Sequence, residues 1–165
     1  DAIAKLKDEG VFLTTIFSGS DKGNLSYVLN YAQKLDVAHL VKYIGFAPNE
    51  EIYHLYQQSL ALVMPSYFGP TNIPPLEAFA IGTPVVYSDL TGLREQVADA
   101  ALLCDLKDYT SLVKHLEQLL NNPNKRSELI ELGYKRLDNL QEISIDNILK
   151  RIFDEYLIKL KCWKS

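Results

Sequence analysis

The sequence has little of what several common classes of protein depend on. Only two of its 165 residues are cysteines, Cys104 and Cys162, and they lie far apart without a paired-cysteine motif. A disulfide framework is therefore not expected, and a reduced, cytoplasmic setting is the simplest expectation. Basic residues number 17 against 21 acidic ones, which gives a formal net charge of −4. No nucleic-acid partner is predicted, because proteins that bind nucleic acids carry a basic surface.

The printed chain also has no apolar run long enough to cross a bilayer, so no transmembrane segment is predicted in it. Motifs for metal binding and covalent catalysis are missing as well: HExxH, CxxC, the phosphate-binding P-loop and GxSxG do not occur. The histidines His39, His54 and His115 lie on separate predicted elements without metal-ligand spacing. We therefore expect no metal, no cofactor and no hydrolase chemistry that proceeds through a covalent intermediate.

Short apolar runs alternate along the chain with stretches of helical periodicity. The apolar runs predict buried strands at 11–17, 41–44, 60–64, 85–87 and 101–104. The periodic stretches predict helices at 1–9, 25–35, 49–58, 73–81, 93–97, 109–120 and 123–137, and a long C-terminal helix from about Ser144. Asn49 and Asp108 are predicted N-caps. This alternation is typical of an α/β fold, a Rossmann-like doubly wound parallel sheet flanked by helices.

The first residues already lie inside an amphipathic helix, with Ile3 and Leu6 on one face. In an α/β unit a strand precedes such a helix. We therefore expect that the natural protein has a strand and its loop before residue 1. The long final helix has two alternatives: it packs on its own domain, or it reaches toward another one. Exposed apolar residues between Phe153 and Trp163 would favour the second.

The stretch from Met64 to Glu95 is the part of the chain most suited to a ligand. An apolar strand stops at Pro65, a turn-rich loop follows, and a helix opens with two prolines and closes at Gly82. In a parallel sheet this loop lies at the carboxyl edge, where ligands bind, and the free N–H groups of a helix start favour an anion. Glu77, an acid among apolar helix residues, can accept hydrogen bonds from a hydroxylated ligand. A solvent-facing side chain without function is the equal alternative.

These residues resemble a known family. The sequence from Pro65 to Asp105, PSYFGPTNIPPLEAFAIGTPVVYSDLTGLREQVADAALLCD, is similar to the C-terminal domain of family 4, or group 1, retaining glycosyltransferases of the GT-B fold. Flanking matches lie at 41–46, 55–66 and 105–120. The resemblance implies that residues 1–165 form the donor-binding domain, without its first strand and without the N-terminal domain that binds the acceptor.

The resemblance also implies where a nucleotide-sugar donor would bind. Eight positions are expected to contact its ribose, base, sugar or phosphates. They are Glu77 for the ribose, Gly45, Phe46 and Ala47 for the base, the backbone amides of Thr71, Asn72 and Ile73 for the donor sugar and the diphosphate, and Gly92 for the phosphates. No catalytic residue is assigned.

The family's donor site usually has two carboxylates separated by seven residues, and the first of them is missing here. Counting back from Glu77, that position is Gly69, and residues 70–73 read PTNI where the family has GFGL. Asn72 is predicted to supply part of the lost hydrogen bonding. The family's basic pair that clamps the diphosphate has no convincing match either, and Lys22 is a poor candidate.

The resemblance implies that the full-length protein is a metal-independent transferase, which moves a sugar with retention from a UDP- or GDP-linked donor to a saccharide or lipid-linked acceptor. Two other classes stay open: a nucleotide-sugar epimerase of similar fold, and a non-catalytic relative that acts as a binding module. The chain alone is expected to bind nucleotide weakly and to transfer no sugar. A cytoplasmic location is expected, with peripheral association at the cytoplasmic face of a membrane left open.

Overall fold

The computed structural model describes residues 1–69, 72–141 and 145–163. The helices are α1 Ala2–Asp8, α2 Leu25–Lys34, α3 Asn49–Gln58, α4 Ile73–Ile81, α5 Leu93–Val97, α6 Tyr109–Asn121, α7 Pro123–Gln141 and α8 Ile145–Trp163, with a 3-10 turn at Ala38–Leu40. The strands are β1 Thr15–Ser18, β2 Val41–Gly45, β3 Leu62–Met64, β4 Val85–Ser88 and β5 Ala101–Cys104. The predicted alternation of helices and strands is therefore confirmed.

Helix boundaries match the prediction best where the sequence supplies strong end signals. α4 spans the predicted residues and ends at Gly82, whose φ of 82° lies in the left-handed region. Asp108 caps α6 as predicted, since its side chain accepts the Thr110 N–H. Asn49 is instead the first residue of α3 and makes no cap, because the cap position is one residue earlier. The predicted start of the final helix at Ser144 lies outside the described residues.

Every strand pair is parallel, which confirms the predicted α/β architecture. β1 pairs with β2, and β4 lies between β3 and β5. Among the described residues the hydrogen-bonded strands fall into these two groups. One edge of β1 and one edge of β3 therefore have no strand beside them in that part of the chain.

Burial differs sharply between the two groups of strands. All four residues of β4 are buried, because this strand has a neighbour on each edge and packs on both faces. In β1, Ile16 and Phe17 are 42% and 45% exposed, and Val63 of β3 also reaches solvent. The prediction of a buried strand at 11–17 is wrong in two respects: residues 11–14 lie outside the strand, and β1 exposes most of its side chains. The physical reason is that β1 has a strand partner on one edge only.

The side chains of β4 alternate between two hydrophobic cores. Val85 and Tyr87 pack with Phe79 of α4, whereas Val86 packs with Leu119 of α6. Since successive residues of a strand point to opposite faces, the helices lie on both faces of this sheet. This is the doubly wound arrangement that the sequence predicts.

One layer of helices reaches under both groups of strands. Leu6 of α1 is fully buried and clusters with Val113 and Leu116 of α6. Leu13, just before β1, and Leu60, just before β3, pack against this same cluster. The segments that lead into β1 and β3 therefore share one hydrophobic core.

Many of the apolar side chains that the structure describes on α8 face solvent. Six large ones are 46% to 64% exposed, namely Leu149, Ile152, Phe153, Tyr156, Leu157 and Ile158. Such a contiguous apolar surface is typical of an interaction site, and it favours the alternative in which this helix reaches toward another domain. None of the helices that the structure describes is both long enough and apolar enough to span a membrane.

Candidate functional site

An open groove lies where the loops after β3 and β4 meet, at the carboxyl ends of parallel strands. Its volume is about 300 Å³, and residues 67–69 of the first loop and 90–93 of the second line it. Ser88, the last residue of β4, donates its hydroxyl to Ser66 O over 2.6 Å and so ties the two loops together. The groove therefore lies at the edge of the sheet where α/β proteins bind ligands.

The walls of this groove are more aromatic than charged. Tyr67 and Phe68 are largely exposed, and the Tyr67 hydroxyl donates to Leu106 O over 3.1 Å. Arg94, which follows the lining residues, is ion-paired with Asp89. Across the described part of the chain, no group of three or more His, Cys, Asp or Glu side chains is arranged to hold a metal ion.

α4 begins beside the groove, and its first turn has few hydrogen-bond donors. Of its first three residues only Ile73 carries a backbone N–H, because Pro74 and Pro75 have none. A capping side chain binds the N–H groups of the second and third helical residues, and the Asn72 side chain accordingly makes no cap. The helix dipole still favours an anion here, but through the exposed Ile73 and not through a full set of free amides.

Asn72 is held by a polar network instead. Its N–H donates to Gln96 Oε1 over 3.3 Å, and its carbonyl oxygen accepts from Gln96 Nε2 over 2.6 Å. Its side-chain Nδ2 donates to the hydroxyl of Tyr87, which donates in turn to Gln96 Oε1 over 3.1 Å. The family resemblance implies that a nucleotide-sugar contacts the Asn72 backbone N–H. Such a ligand would compete with Gln96 for this N–H.

Gly69 is fitted to this arrangement. Its φ of 139° lies in the region that favours glycine, and a Cβ at this position would overlap Asn72 Oδ1. A side chain at position 69 would strain the backbone and would have to displace the Asn72 carboxamide.

Glu77 lies about one turn inside α4 and is exposed, so its carboxylate is open to a ligand. The Tyr56 hydroxyl of α3 donates to Glu77 Oε2 over 3.1 Å. Burial raises the pKa of the Tyr56 hydroxyl, and the negative charge of Glu77 raises it further. Tyr56 therefore remains protonated at neutral pH and orients the carboxylate by donating to one of its oxygens.

The other predicted positions lie at strand ends. Gly45 ends β2 with a φ of 69°, Phe46 is 81% exposed, and Ala47 is buried. None of these three is among the described residues that line the groove, whereas Gly92 lines it and has a φ of 85°. Thr71 lies outside the described residues.

Sequence reasoning missed three residues of this site: Tyr56, Tyr87 and Gln96. Tyr87 gave a usable signal, since a tyrosine inside a buried strand needs a hydrogen-bond partner for its hydroxyl. Gln96 and Tyr56 gave no such signal, because each forms a hydrogen bond with a residue that lies more than 20 positions away in the sequence.

Solved structures share this fold. Anabaena HepE in complex with UDP matches with a TM-score of 0.73 over 94% of this chain and 43% of that one, at 20% identity. The C-terminal domain of a glycosyl transferase group 1 family protein from Francisella tularensis matches with a TM-score of 0.70 over 87% of this chain and 76% of that one, at 21% identity. These matches confirm the predicted architecture.

Curated relatives and a family model identify the chain more closely. It is 31% identical over 116 residues to O-antigen chain mannosyltransferase B of Escherichia coli, which is 70% of this chain and 30% of that protein. It is 36% identical over 114 residues to D-inositol 3-phosphate glycosyltransferase of Frankia alni, which is 68% of this chain and 28% of that protein. The chain thus spans less than a third of the length of these relatives. The model of the family described as glycosyl transferases group 1 matches residues 1–136, and the chain therefore belongs to the group 1 glycosyltransferases.

Proposed function

We propose that the full-length protein transfers a sugar, with retention of configuration, from a UDP- or GDP-linked donor to a saccharide or lipid-linked acceptor. Residues 1–165 bind the donor nucleotide in this proposal, and another domain binds the acceptor. The reaction uses no metal and no bound cofactor. The protein's task is to hold the diphosphate and stabilise the charge that develops on it.

The observation that carries this proposal is the orientation of Glu77, which lies about one turn inside the helix that begins beside the groove. Tyr56 donates to one carboxylate oxygen and leaves the remaining lone pairs to a ligand. An ionised carboxylate accepts hydrogen bonds more strongly than a neutral group, which suits the paired hydroxyls of a ribose. Gln96, which occupies both backbone groups of Asn72, leaves the Ile73 N–H and the Gly92 loop as the groups that would face the diphosphate.

The relatives support a nucleotide-linked sugar without deciding between bases. Anabaena HepE has been crystallised with UDP and with UDP-glucose, and both structures share this fold. The Escherichia coli relative is named as a mannosyltransferase. We therefore retain both UDP- and GDP-linked donors in the proposal.

We also propose that the natural protein has a strand before α1 that lies between β1 and β3. Both strands have an open edge among the described residues, and both are preceded by residues that pack on the α1–α6 core. One inserted parallel strand would join the two groups of strands into one sheet. The exposed apolar side chains of α8 would contact the acceptor-binding domain. Peripheral association with the cytoplasmic face of a membrane is proposed for the full-length protein and not for residues 1–165 alone.

Calorimetric titration of the 165-residue chain with UDP and with GDP tests the nucleotide site. We expect one of the two to bind, and we expect Glu77→Gln to weaken its binding roughly tenfold, the usual loss for a hydrogen bond to a charged group. Glu131→Gln is the matched control, because Glu131 is an exposed acid on α7. Equal affinity of the wild type and Glu77→Gln, or no binding of either nucleotide, would overturn the proposal.

A non-catalytic binding module is the second candidate, and Gly69 is the observation that favours it. Glycine replaces the family's first carboxylate at position 69, and the Asn72 carboxamide occupies the space beside it, which suits a relative that binds the donor without transferring its sugar. Incubation of the full-length protein with a radiolabelled donor separates the classes. Labelled acceptor indicates transfer, epimerised donor indicates an epimerase, and unchanged donor that stays bound indicates a binding module.

A further inference from the structure

The carboxamide of Gln96 binds both backbone groups of one residue. Its Nε2 donates to Asn72 O over 2.6 Å, and its Oε1 accepts the Asn72 N–H over 3.3 Å. This two-way pairing imitates the hydrogen bonding of a neighbouring strand. It fixes the position at which the loop after β3 enters α4, although Gln96 itself lies on α5.

The network is closed by Tyr87, whose side chain is fully buried at the end of β4. Its hydroxyl donates to Gln96 Oε1 and accepts from Asn72 Nδ2. The Asn72 Nδ2 donates to Tyr87, and no group among the described residues donates to Oδ1, which can therefore accept a hydrogen bond from a ligand. Linked hydrogen bonds of this kind in a partly buried place hold their members in one arrangement.

α7 anchors the network from behind. Arg136 donates from Nε to Gln96 O over 3.0 Å and from Nη2 to Glu95 O over 2.6 Å. The end of α5 is therefore tied to a long helix that packs on α4. The backbone of Gln96 cannot shift without breaking these bonds as well.

The network ends at the groove, on the side of Gly69. A Cβ on Gly69 would overlap Asn72 Oδ1, so the carboxamide of Asn72 occupies the space into which a side chain at position 69 would project. Gly69 itself lines the groove. The space into which the family's first carboxylate would project, next to the groove-lining Gly69, thus holds a neutral carboxamide that is bound by Tyr87 and belongs to the residue held by Gln96.

We propose that Gln96 is a positioning residue for the donor sugar, and that the Asn72 carboxamide it holds beside Gly69 accepts a hydrogen bond from a sugar hydroxyl. This inference rests on the proposed function and refines only how the sugar part of the nucleotide-sugar is bound. Binding of the nucleotide part depends on Glu77, whose carboxylate is bound by Tyr56 and takes no part in this network. Loss of Gln96 should therefore weaken binding of the sugar more than binding of the nucleotide.

The test compares the affinity of the chain for a nucleoside diphosphate with its affinity for the matching nucleotide-sugar, UDP with UDP-glucose and GDP with GDP-mannose. In the wild type the nucleotide-sugar should bind more tightly than the nucleoside diphosphate. The ratio of these two affinities is the sugar advantage. In Gln96→Leu this advantage should fall by roughly threefold to tenfold, the usual range for one hydrogen bond, and the affinity for the nucleoside diphosphate should fall by a smaller factor. Gln118→Leu, at an exposed position of α6, is the control that should change neither.

Gln96→Glu gives a readout that a purely structural role would not move. At about pH 7.5 the introduced carboxylate would face the Asn72 carbonyl oxygen without a proton and the sugar advantage should be lost. A protonated carboxyl can donate to that oxygen again, and partial burial raises its pKa from the ordinary value of about 4.3. The advantage should therefore recover as the pH is lowered toward about 5 in Gln96→Glu and change little in the wild type.

The two levels of failure are distinguishable. If the wild type binds neither nucleoside diphosphates nor nucleotide-sugars, the proposed function fails and this inference fails with it. If nucleotides bind but the sugar advantage is the same in the wild type, Gln96→Leu and Gln96→Glu at both pH values, only the role of Gln96 is overturned. Should Gln96→Leu not fold, Gln96→Glu across the two pH values decides alone.

Discussion

Asp108 and Asn72 occupy the same position before a helix but act differently. The Asp108 side chain accepts the Thr110 N–H and caps α6. The Asn72 side chain turns to Tyr87 instead, since the second and third residues of α4 are prolines without an N–H. The difference lies in the residues that follow: the same class of side chain caps a helix in one place and binds a buried tyrosine in the other.

Acid should weaken the cap at Asp108. Hydrogen bonds from the Thr110 hydroxyl and then from its N–H lower the pKa of this carboxyl in the folded protein. A lowered folded-state pKa makes the cap's contribution complete above the unfolded-state pKa of about 3.9, and the contribution is lost as the pH falls through the folded-state value. Asp108→Asn keeps a capping oxygen that does not titrate.

The measurement is the difference between the melting temperatures of the wild type and Asp108→Asn as the pH is lowered from about 6 to about 3. The wild type should lose stability relative to the variant over this range. All other carboxyls are common to both proteins, so their titration largely cancels in the difference. A difference that stays constant with pH would show that the folded and unfolded pKa values of Asp108 are the same.

At the scale of elements, the contact between α4 and α7 depends on a glycine inside a helix. Gly133 lies in the middle of α7, where a Cβ would come within 2.9 Å of Phe79 Cδ1. Phe79 belongs to the core beneath β4 and is 2% exposed, so its ring has little room to move. The glycine is therefore explained by close helix packing and not by a turn.

Gly133→Ala should destabilise the protein, although alanine is the better helix former. The gain in helix propensity is about 1 kcal/mol, whereas forcing an extra methyl into a packed core costs about 1–3 kcal/mol. Denaturant unfolding should show a lower free energy of unfolding for Gly133→Ala. In a Phe79→Leu background, which frees space at the contact, the same substitution should cost less or become stabilising. A more stable Gly133→Ala single variant would contradict the close contact.

Elements and sites differ in how far a sequence reveals them. The strand at β4 and the helix at α4 were predicted because their apolar runs, prolines and Gly82 are local signals. Glu77 could be singled out as an acid in an apolar helix. The partnership of Gln96 with Asn72 could not be predicted, since hydrogen bonds between residues 24 positions apart leave no periodic pattern.

At the scale of the whole molecule, the proposed strand between β1 and β3 would join the two groups of strands into one sheet. The residues that lead into β1 and β3 share the α1–α6 core, yet β1 exposes side chains that an apolar run would bury in a complete parallel sheet. The sequence predicted burial from composition, but burial depends on neighbours on both edges. Relatives that are more than twice as long have ample further sequence for such a neighbour.

Amide hydrogen exchange can test whether a strand of the natural protein lies between β1 and β3. Alternate amides of a parallel strand point to opposite edges, so part of the β1 amides bond to β2 and the rest point to the open edge. In the 165-residue chain the open-edge amides of β1 and β3 should exchange fast, because solvent reaches them. In the full-length protein they should be protected. The amides of β4, which has a neighbour on both edges, are the internal control and should be protected in both proteins. Fast exchange of the β1 and β3 amides in the full-length protein as well would mean that no strand fills the gap.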